Sequence, residues 1–332
     1  MIKVLVIGMG QLGKCIKDSY VRYVKSLDGN DPAYMIDFAT NEPETEDVMQ
    51  LDITDKAQFK EFCDNGGYKF IINCAAYTNV NAANTKGGAQ LSKLINRDAL
   101  VHMADWCESN ACNLVHISTD YVFSGRDGIM KENDQSFHPL SIYGKTKKEG
   151  EDVIPKYMGV SGKYMIIRTS SLYSQYGTNF VLTMLNKFHN NEDVTVIVDG
   201  VSSPTNANDL ADCIVNHIIL KTITGEREIK NGAYHFTNEG CISWYDFAQE
   251  ILEQYNRIGG VSTSQVFPTD TPTMMENATA NGGVVAERPV ASMVAKDKFK
   301  SEGYKIRYWK QSLIEYFNTQ LHTEDYGIYT VE

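Results

Sequence analysis

A tyrosine and a lysine lie four residues apart in the segment "SIYGKTKKEGE", residues 141–151, at Tyr143 and Lys147. One turn of helix places positions i and i+4 on the same face, so the phenol and the ammonium would be neighbours. A phenol can supply the proton that a carbonyl needs when it receives a hydride, but a tyrosine pKa of about 10 is poorly matched to neutral pH. An adjacent ammonium, with the positive nicotinamide of an oxidised cofactor, favours phenolate and lowers that pKa. Because an isolated Tyr-x-x-x-Lys also arises by chance on solvated helices, the surrounding elements decide its meaning.

Three glycines, Gly8, Gly10 and Gly13, form the pattern G-x-G-x-x-G directly after the apolar run "KVLVIG". That run is rich in β-branched residues and predicts a buried parallel strand, and a helical pattern follows it. In this context the glycines allow a tight turn, close approach of the backbone to a pyrophosphate, and helix–strand packing. The N–H groups at the start of the helix add hydrogen-bond donors for phosphate. We therefore predict a dinucleotide-binding turn.

The choice of cofactor depends on Asp37, which we place at the end of the second predicted strand, "YMIDFA". A carboxylate there would bond the 2′-hydroxyl of NAD and repel a 2′-phosphate. Lys14, next to Gly13, could still face a 2′-phosphate. The expected cofactor is therefore NADH or NADPH, with a lean towards NADH; the alternative for Asp37 is a surface turn residue.

A second polar pair, Ser118 and Thr119, ends the predicted strand "NLVHIST". Ligands of parallel sheets bind beyond the carboxyl ends of the strands, so Thr119 would lie in the same crevice as the glycine turn. Its hydroxyl can hydrogen-bond a substrate oxygen, and Lys147 can reach ribose hydroxyls. Thr119, Tyr143 and Lys147 are therefore the predicted catalytic set.

Strands alternate with helices through the first half of the chain, which predicts an α/β fold built on a doubly wound parallel sheet of the Rossmann type. The rhythm changes after about residue 170, so we expect a smaller C-terminal substrate-binding lobe. The predicted division is a dinucleotide-binding domain over 1–170, with 200–222 returning to it, and a lobe from 171–199 and 223–332. Residues 259–288, rich in Gly, Thr, Asn and Pro, predict a long loop or excursion.

The composition excludes several classes of function. The 332 residues carry a net charge of −11, which argues against a nucleic-acid surface. The sequence has no signal-peptide layout and no apolar run long enough to span a bilayer. Seven scattered cysteines without a C-x-x-C pair, and histidines such as His116 without metal spacing, indicate no metal site, no disulfide framework and a reducing cytoplasm. The histidines are interpreted as structural.

The chain resembles the extended short-chain dehydrogenases/reductases, and within them the dTDP-4-dehydrorhamnose reductase family. The matching segments, in order, include "GQLG", "LDITD", "INCAAYTNV", "HISTDYVFSG", "HPLSIYGKTKKEGE", "RTSSLYSQYGTNF", "DGVSSPTNANDLAD" and "ERPVAS". The resemblance implies that Tyr143 is the proton donor, Lys147 its partner and Thr119 the hydroxyl that tunes the tyrosine. It implies that Thr119 and Asp120 touch the sugar, and that the cofactor contacts are Gly10, Gln11, Leu12, Asp52, Ile53, Ala75, Ala76 and Tyr77.

The chain departs from the family pattern at several positions. Ile7 stands where the family's first loop glycine would fall, and Asn81 stands at an aspartate position. Ser171 stands where the family commonly has a tryptophan that contacts substrate. We therefore expect either a weaker KM for the sugar than the family norm, or a pocket refilled by a neighbouring aromatic such as Tyr173 or Tyr176. The resemblance places Arg288, which precedes a proline, near the substrate pocket, where an arginine can hold a diphosphate; the alternative is a surface arginine.

These features and the family resemblance predict an NAD(P)H-dependent reductase, and the resemblance implies that it reduces the 4-keto group of a nucleotide sugar, with dTDP-4-dehydro-L-rhamnose as the expected substrate. The alternatives are another nucleotide-sugar reductase or epimerase, which Ser171 keeps open, and a non-catalytic, cofactor-binding regulatory subunit. Loss of Tyr143 or Lys147 would favour that last alternative, and both residues are present. The sequence leaves the oligomeric state open, with a homodimer as the candidate.

Overall fold

A seven-stranded parallel sheet lies at the centre of the computed structural model, which describes residues 1–159, 162–280, 283–321 and 323–326. The strand order is β11-β6-β5-β4-β1-β2-β3, so the chain winds outward in both directions from β1. The strands of the described residues are β1 (Ile2–Ile7), β2 (Tyr34–Thr40), β3 (Val48–Gln50), β4 (Phe70–Asn73), β5 (Asn113–Thr119), β6 (Tyr164–Thr169), β7 (Leu172–Tyr173), β8 (Val194–Ile197), β9 (Val201–Ser202), β10 (Thr205–Asn206), β11 (Gly232–His235), β12 (Ile242–Ser243), β13 (Val266–Thr269) and β14 (Ala291–Ser292).

Helices cover both faces of this sheet and build the second lobe. They are α1 (Gln11–Ser26), α2 (Lys56–Gly66), α3 (Val80–Ala83), α4 (Lys86–Lys93), α5 (Ala99–Ser109), α6 (Ile142–Tyr157), α7 (Phe180–His189), α8 (Ala207–Asp212), α9 (Lys221–Ile223), α10 (Trp244–Arg257), α11 (Thr271–Ala280), α12 (Asp297–Ser301) and α13 (Trp309–Thr319). Two π-helical segments, Leu94–Asp98 and Cys213–Leu220, continue α4 into α5 and α8 into α9. Short 3-10 turns cover Asp120–Val122 and Thr323–Tyr326. No helix among the described residues is long and apolar enough to cross a membrane.

The apolar strand β1 is buried on both sides, as its continuous hydrophobic run predicts. Val4 and Val6 belong to one core with Ile16 of α1, whereas Leu5 and Ile7 belong to a second core on the opposite face. The second core is completed by residues of α2, α5 and α6, among them Phe59, Leu100, Met103 and Ile154. Successive side chains of a strand point to opposite faces, so one run supplies both cores.

Two later segments return to this sheet. Leu210 of α8 and Ile214 of the following π-helical segment are fully buried in the core that holds Val4. Strand β11 pairs in parallel with β6, with Tyr234 opposite Ile167. The sheet therefore takes its last strand from the segment 223–332, which we had expected to lie wholly in the lobe; a four-residue strand gives little periodicity to reveal its partner.

The second lobe has its own apolar core between α7, α10 and α13, with Phe188, Phe247 and Leu313 all buried. The expectation of a long loop over 259–288 is wrong, because this segment contains β13 and α11. Strand β13 pairs in parallel with β8, placing Val266 opposite Val194. Strand β13 is stabilised by pairing with a strand 72 residues earlier in the chain, and the composition of the segment alone does not reveal that pairing.

Candidate active site

The turn between β1 and α1 combines a packed floor with an open rim. Gly8 has φ +95°, and a Cβ there would lie 2.6 Å from the backbone nitrogen of Ala75. A Cβ on Gly13 would lie 2.0 Å from the carbonyl oxygen of Gly8, so helix and strand pack directly on each other. At Gly10 a Cβ would meet nothing within 4 Å, and the first turn of α1 has no side-chain cap. The free N–H groups and this open approach fit a pyrophosphate.

The expected position of Asp37 is wrong. Strand β2 continues to Thr40, so Asp37 lies within it, opposite Leu5. Its carboxylate lies 3.2 Å from Lys3 Nζ and accepts a hydrogen bond of 2.9 Å from the Tyr68 hydroxyl, so it is a structural partner away from the cleft. The residues at the carboxyl end of β2 that line the cleft are Thr40 and Asn41, neither of them acidic. The argument for NADH over NADPH therefore loses its basis.

Helix α6, which carries Tyr143 and Lys147, begins at a serine cap. The Ser141 hydroxyl accepts a hydrogen bond of 3.2 Å from the Gly144 N–H, which satisfies one of the free donors of the first turn. A Cβ on Gly144 would lie 2.3 Å from the carbonyl oxygen of Tyr121, so only glycine lets the helix approach the end of β5 this closely. The cap and the close contact fix where Tyr143 enters the cleft.

Buried polar contacts tie α6 to the cofactor side of the cleft. The Thr146 hydroxyl lies 2.8 Å from that of Ser92 and accepts from the Asn96 amide at 3.2 Å. The same Asn96 accepts a hydrogen bond of 2.8 Å from the Tyr77 N–H and donates one of 3.1 Å to the Tyr77 carbonyl. Asn96 therefore holds the loop after β4 and helix α6 in a fixed relation.

One cleft of about 730 Å³ lies beyond the carboxyl ends of the strands. Most of the predicted site residues line it, namely Gly8, Gly10, Gln11, Leu12, Gly13, Asp52, Ile53, Ala75, Ala76, Thr119, Asp120, Tyr143, Lys147 and Ser171. Asp37, Tyr77 and Arg288 lie outside this lining. The glycine turn and the Tyr/Lys helix, more than 120 residues apart in the chain, thus meet in one space.

Tyr143 is a protonated phenol in this cleft. Burial raises the pKa of Tyr143 well above its usual value; a hydrogen bond with Thr119 opposes the rise, and the charge of Asp120 adds to it. Burial is the largest of these effects, and the expected lowering of this pKa by the Lys147 ammonium together with an oxidised nicotinamide stays a prediction. A phenol that keeps its proton at neutral pH is suited to donate it to a carbonyl oxygen.

Lys147 is almost wholly buried, with 1% of its surface exposed. Burial disfavours the ammonium and lowers the pKa of Lys147 to about 8, against the charge of Glu151, which raises it. Its Nζ donates a hydrogen bond of 2.7 Å to the Ile117 carbonyl and lies 3.2 Å from His116 Nε2. A buried lysine with a pKa this close to neutrality can both give and take a proton.

Thr119 and Asp120 form the polar wall opposite the glycine turn. The Thr119 hydroxyl donates to Asp120 Oδ1 at 3.1 Å and accepts from the Tyr121 N–H at 3.2 Å. Burial raises the pKa of Asp120, and hydrogen bonds from Ser292 and Ser170 oppose that rise. A buried carboxylate surrounded by hydroxyls can accept hydrogen bonds from a sugar.

Ser171 leaves the cleft polar at the position where the resemblance expects a tryptophan. Its φ is +47°, and its hydroxyl forms a short hydrogen bond with that of Ser202. The expectation that an aromatic refills the space is wrong for both candidates. Tyr173 is buried in the lobe core against Phe247. The Tyr176 hydroxyl donates a hydrogen bond of 2.8 Å to Asp18 Oδ2. Neither ring lines the cleft.

Arg288 reaches the cleft indirectly. It is exposed and hydrogen-bonds to Tyr121. Burial raises the pKa of the Tyr121 phenol, the charge and hydrogen bond of Arg288 oppose that rise, and the resulting pKa is about 12. The Tyr121 ring packs edge-on against Tyr143, with centroids 5.5 Å apart. Arg288 thus lies one side chain away from Tyr143.

The comparisons with known proteins identify the family. The family model for the RmlD substrate binding domain matches residues 3–321 of this chain. The dTDP-4-dehydrorhamnose reductase of Aggregatibacter actinomycetemcomitans is 35% identical over 269 residues, which cover 80% of this chain and 86% of that protein. The chain belongs to the dTDP-4-dehydrorhamnose reductase family.

Solved structures of this family share the fold. A dTDP-4-dehydrorhamnose reductase from Clostridium acetobutylicum is 32% identical, with a TM-score of 0.76. The match covers 96% of this chain and 99% of the Clostridium chain. The enzyme from Bacillus anthracis, in complex with NADP, is 29% identical with the same TM-score and coverage. The predicted doubly wound parallel sheet, the family and the class of NAD(P)-dependent oxidoreductase are confirmed.

Sequence reasoning missed several residues that the structure brings to the site of this dTDP-4-dehydrorhamnose reductase family member. Cleft-lining residues that we had not singled out for the site include Met9, Thr40, Asn41, Thr54, Cys74, Thr78, Tyr121, Ser170 and Thr178. Asn41, Cys74 and Ser170 directly follow a strand, and that position could have revealed them. His116, interpreted as structural, lies against Lys147; a histidine inside an apolar strand was the available signal. Among the described residues, no group of His, Cys, Asp and Glu side chains could hold a metal ion.

Proposed function

We propose that this chain reduces the 4-keto group of dTDP-4-dehydro-L-rhamnose to give dTDP-L-rhamnose, with NADH or NADPH as the reductant. The observation that carries the proposal is the convergence of Thr119, Tyr143 and Lys147 on the cleft that begins at the glycine turn. Membership of the dTDP-4-dehydrorhamnose reductase family supports the choice of substrate.

The residues of the cleft fit a dinucleotide. Gly10 offers an open approach at the start of α1, and the loops after β3 and β4 line the same space with Asp52, Ile53, Ala75 and Ala76. Lys14 Nζ lies 2.7 Å from Glu44 Oε2 in an ion pair. The cleft residues at the end of β2 are Thr40 and Asn41, so a 2′-phosphate bound there would not be repelled by a carboxylate of that strand. When bound, the reduced nicotinamide supplies the hydride.

The other steps belong to side chains of the chain itself. Tyr143 donates its proton to the carbonyl oxygen as charge develops there, and Thr119 hydrogen-bonds to Tyr143 and orients it. Lys147 then returns a proton to the phenolate. Asp120, with Ser170 beside it, accepts hydrogen bonds from sugar hydroxyls, and Arg288 with Tyr121 stands where a diphosphate would leave the cleft.

A panel of 4-keto nucleotide sugars, followed at the NAD(P)H absorbance band, tests this proposal. We expect the highest kcat/KM for dTDP-4-dehydro-L-rhamnose, because a substrate is selected by the contacts that its transition state makes. If no 4-keto sugar is turned over while NADPH still binds, the chain is a cofactor-binding regulatory subunit and the proposal fails.

A second candidate is the reduction of another 4-keto nucleotide sugar. The observation that favours it is the hydroxyl pair of Ser171 and Ser202, which offers hydrogen bonds instead of an aromatic surface. The same panel separates the candidates: a sugar with an additional polar substituent would then exceed dTDP-4-dehydro-L-rhamnose in kcat/KM.

We also propose a homodimer located in the cytoplasm. The face formed by α4, the π-helical segment after it and α6 exposes Leu91, Leu94 and Tyr157, and exposed apolar side chains of this kind support a protein contact. All seven cysteines are free, which supports a reducing compartment. Light scattering coupled to gel filtration measures the assembly, and a monomer at micromolar concentration would contradict it.

A further inference from the structure

A chain of buried hydrogen bonds runs behind Lys147 and begins at the loop after β4. The Ala75 N–H, which can only donate, bonds to Asn73 Oδ1 at 3.1 Å. This contact fixes the orientation of the Asn73 amide, because its NH₂ group must then face the other way. Asn73 Nδ2 lies 3.1 Å from His116 Nδ1 and donates to it.

The direction of these bonds determines which nitrogen of His116 carries the proton. Burial lowers the pKa of His116 well below its usual value, and the charge of Lys147 lowers it further, so the ring is neutral. A neutral imidazole that accepts at Nδ1 carries its proton on Nε2. That Nε2–H faces Lys147 Nζ at 3.2 Å, and both side chains are 1% exposed.

An ammonium and a neutral amine meet this N–H differently. The ammonium has three N–H donors and no acceptor, so it cannot accept a hydrogen bond from the Nε2–H of His116, and two donors would face each other. The neutral amine accepts that proton with its lone pair and still donates to the Ile117 carbonyl at 2.7 Å. Every contact of the chain from Ala75 to Ile117 is satisfied only when Lys147 is neutral.

We propose that His116, with its tautomer set by Asn73, is a positioning residue that stabilises the neutral amine of Lys147 and so prepares the lysine to pass a proton to Tyr143. The inference rests on the proposed reductase function. After Tyr143 has given its proton to the substrate oxygen, an N–H bond of the Lys147 ammonium breaks and the O–H bond of Tyr143 re-forms. The neutral amine left behind accepts the His116 Nε2–H, and Lys147 regains its proton from solvent through the cleft.

The other titratable groups around Lys147 act differently. Glu151, one turn further along α6, favours the ammonium, but its carboxylate is held by Arg168 in a buried ion pair of 2.7 Å. Burial raises the pKa of the Cys74 thiol to about 12, so that group is uncharged. Tyr143 is protonated for the reason given above. His116, on β5, is therefore the group whose donated N–H favours the neutral lysine.

The test follows the titration of Lys147 itself in the full chain, with ¹³C-labelled lysine and the Cε resonance as the readout. In the wild type, the resonance that Lys147→Met removes is that of Lys147, and it should titrate with a midpoint near its pKa of about 8. His116→Leu takes away the donor, and we expect the midpoint to rise by about one pH unit or more. His116→Gln places an amide N–H near the same position and should restore most of the wild-type value.

Three results would overturn the proposal. An unchanged midpoint in His116→Leu shows that His116 does not influence the lysine, and equal midpoints in His116→Leu and His116→Gln show a packing effect only. Should His116→Leu fail to fold, Asn73→Leu frees the tautomer so that Nε2 can accept from the ammonium; the midpoint must again rise, and no rise ends the idea. The exposed His138, changed to Gln, is the matched control and should leave the midpoint unchanged.

The outcome is independent of catalysis. The titration is read without substrate, so a chain that reduces no 4-keto sugar could still show the predicted shifts. Conversely, if the chain is an active reductase but substitution of His116 leaves the titration midpoint of Lys147 unchanged, the proposed function stands and only the role of His116 is wrong.

Discussion

Tyr143 is the side chain on which the proposed reaction depends most directly. Tyr143→Phe keeps the ring, and its edge-on contact with Tyr121, but removes the acid. We expect kcat to fall by about two to four orders of magnitude, the range for general acid catalysis, while the cofactor Kd changes little. Steady-state kinetics and a cofactor fluorescence titration measure the two quantities. Tyr157→Phe, at the far end of the same helix, is the control; near-wild-type turnover in Tyr143→Phe would remove its assigned role.

Selectivity between the two cofactors is a second property that single residues decide. Asn41→Asp places a carboxylate beyond the end of β2, in the cleft, where it would repel a 2′-phosphate. We expect the ratio of kcat/KM for NADPH to that for NADH to fall about tenfold, or ~1.4 kcal/mol.

Asp37→Ala is the matched control for this change. Its carboxylate is bound by Lys3 and Tyr68 away from the cleft, so the cofactor ratio should stay within about twofold although stability falls. A large change of the ratio in Asp37→Ala, with none in Asn41→Asp, would restore Asp37 as the ribose ligand.

The β1–α1 turn shows how one element serves both fold and binding. Gly10 has φ −76° and free space where a Cβ would stand, so Gly10→Ala should fold with an unchanged melting temperature. The added methyl group occupies the approach to the pyrophosphate, and we expect the cofactor Kd to rise about tenfold or more, or ~1.4 kcal/mol.

Gly13→Ala, on the same turn, should behave in the opposite way. Its Cβ would lie 2.0 Å from the Gly8 carbonyl oxygen, so helix and strand must separate. Overpacking of this kind costs about 1–3 kcal/mol of unfolding free energy. Urea denaturation and cofactor titration of both variants separate the two effects; equal destabilisation by Gly10→Ala and Gly13→Ala would contradict the assignment.

At the scale of the whole molecule, buried neutral histidines make the fold sensitive to acid. Burial, followed by the charge of Arg168, lowers the pKa of His235 to about 3. Between an unfolded pKa of about 6.5 and this value, the unfolded chain binds a proton that the folded chain does not, so stability falls as the pH falls through that window. The limiting slope is about 1.4 kcal/mol per pH unit for each such histidine.

His235→Gln should therefore reduce the loss of stability between pH 7 and pH 5. Urea denaturation at several pH values gives the slope of the unfolding free energy, and the variant should show a shallower slope whatever its stability at pH 7. The exposed His138, replaced by Gln, should keep the wild-type slope. An unaltered slope in His235→Gln would show that this histidine is not held neutral.

The order of the secondary-structure elements followed from sequence patterns, and so did the two ends of the candidate site. The apolar run before Gly8 and the spacing of Tyr143 and Lys147 are local features, and local features predict local structure. The rule that ligands bind beyond the carboxyl ends of parallel strands then brought Thr119 to the glycine turn. Those residues do line one cleft.

Other features depended on contacts between distant segments. Strand β2 runs three residues past Asp37, which leaves Asp37 outside the site and brings Asn41 into it. The pairing of β11 with β6, the hydroxyl contact of Ser171 with Ser202, and the contact of His116 with Lys147 all join segments at least 30 residues apart. Periodicity reports which face of an element is apolar, but strand register and side-chain packing decide which polar groups meet, and burial of those groups then sets which of them holds a proton.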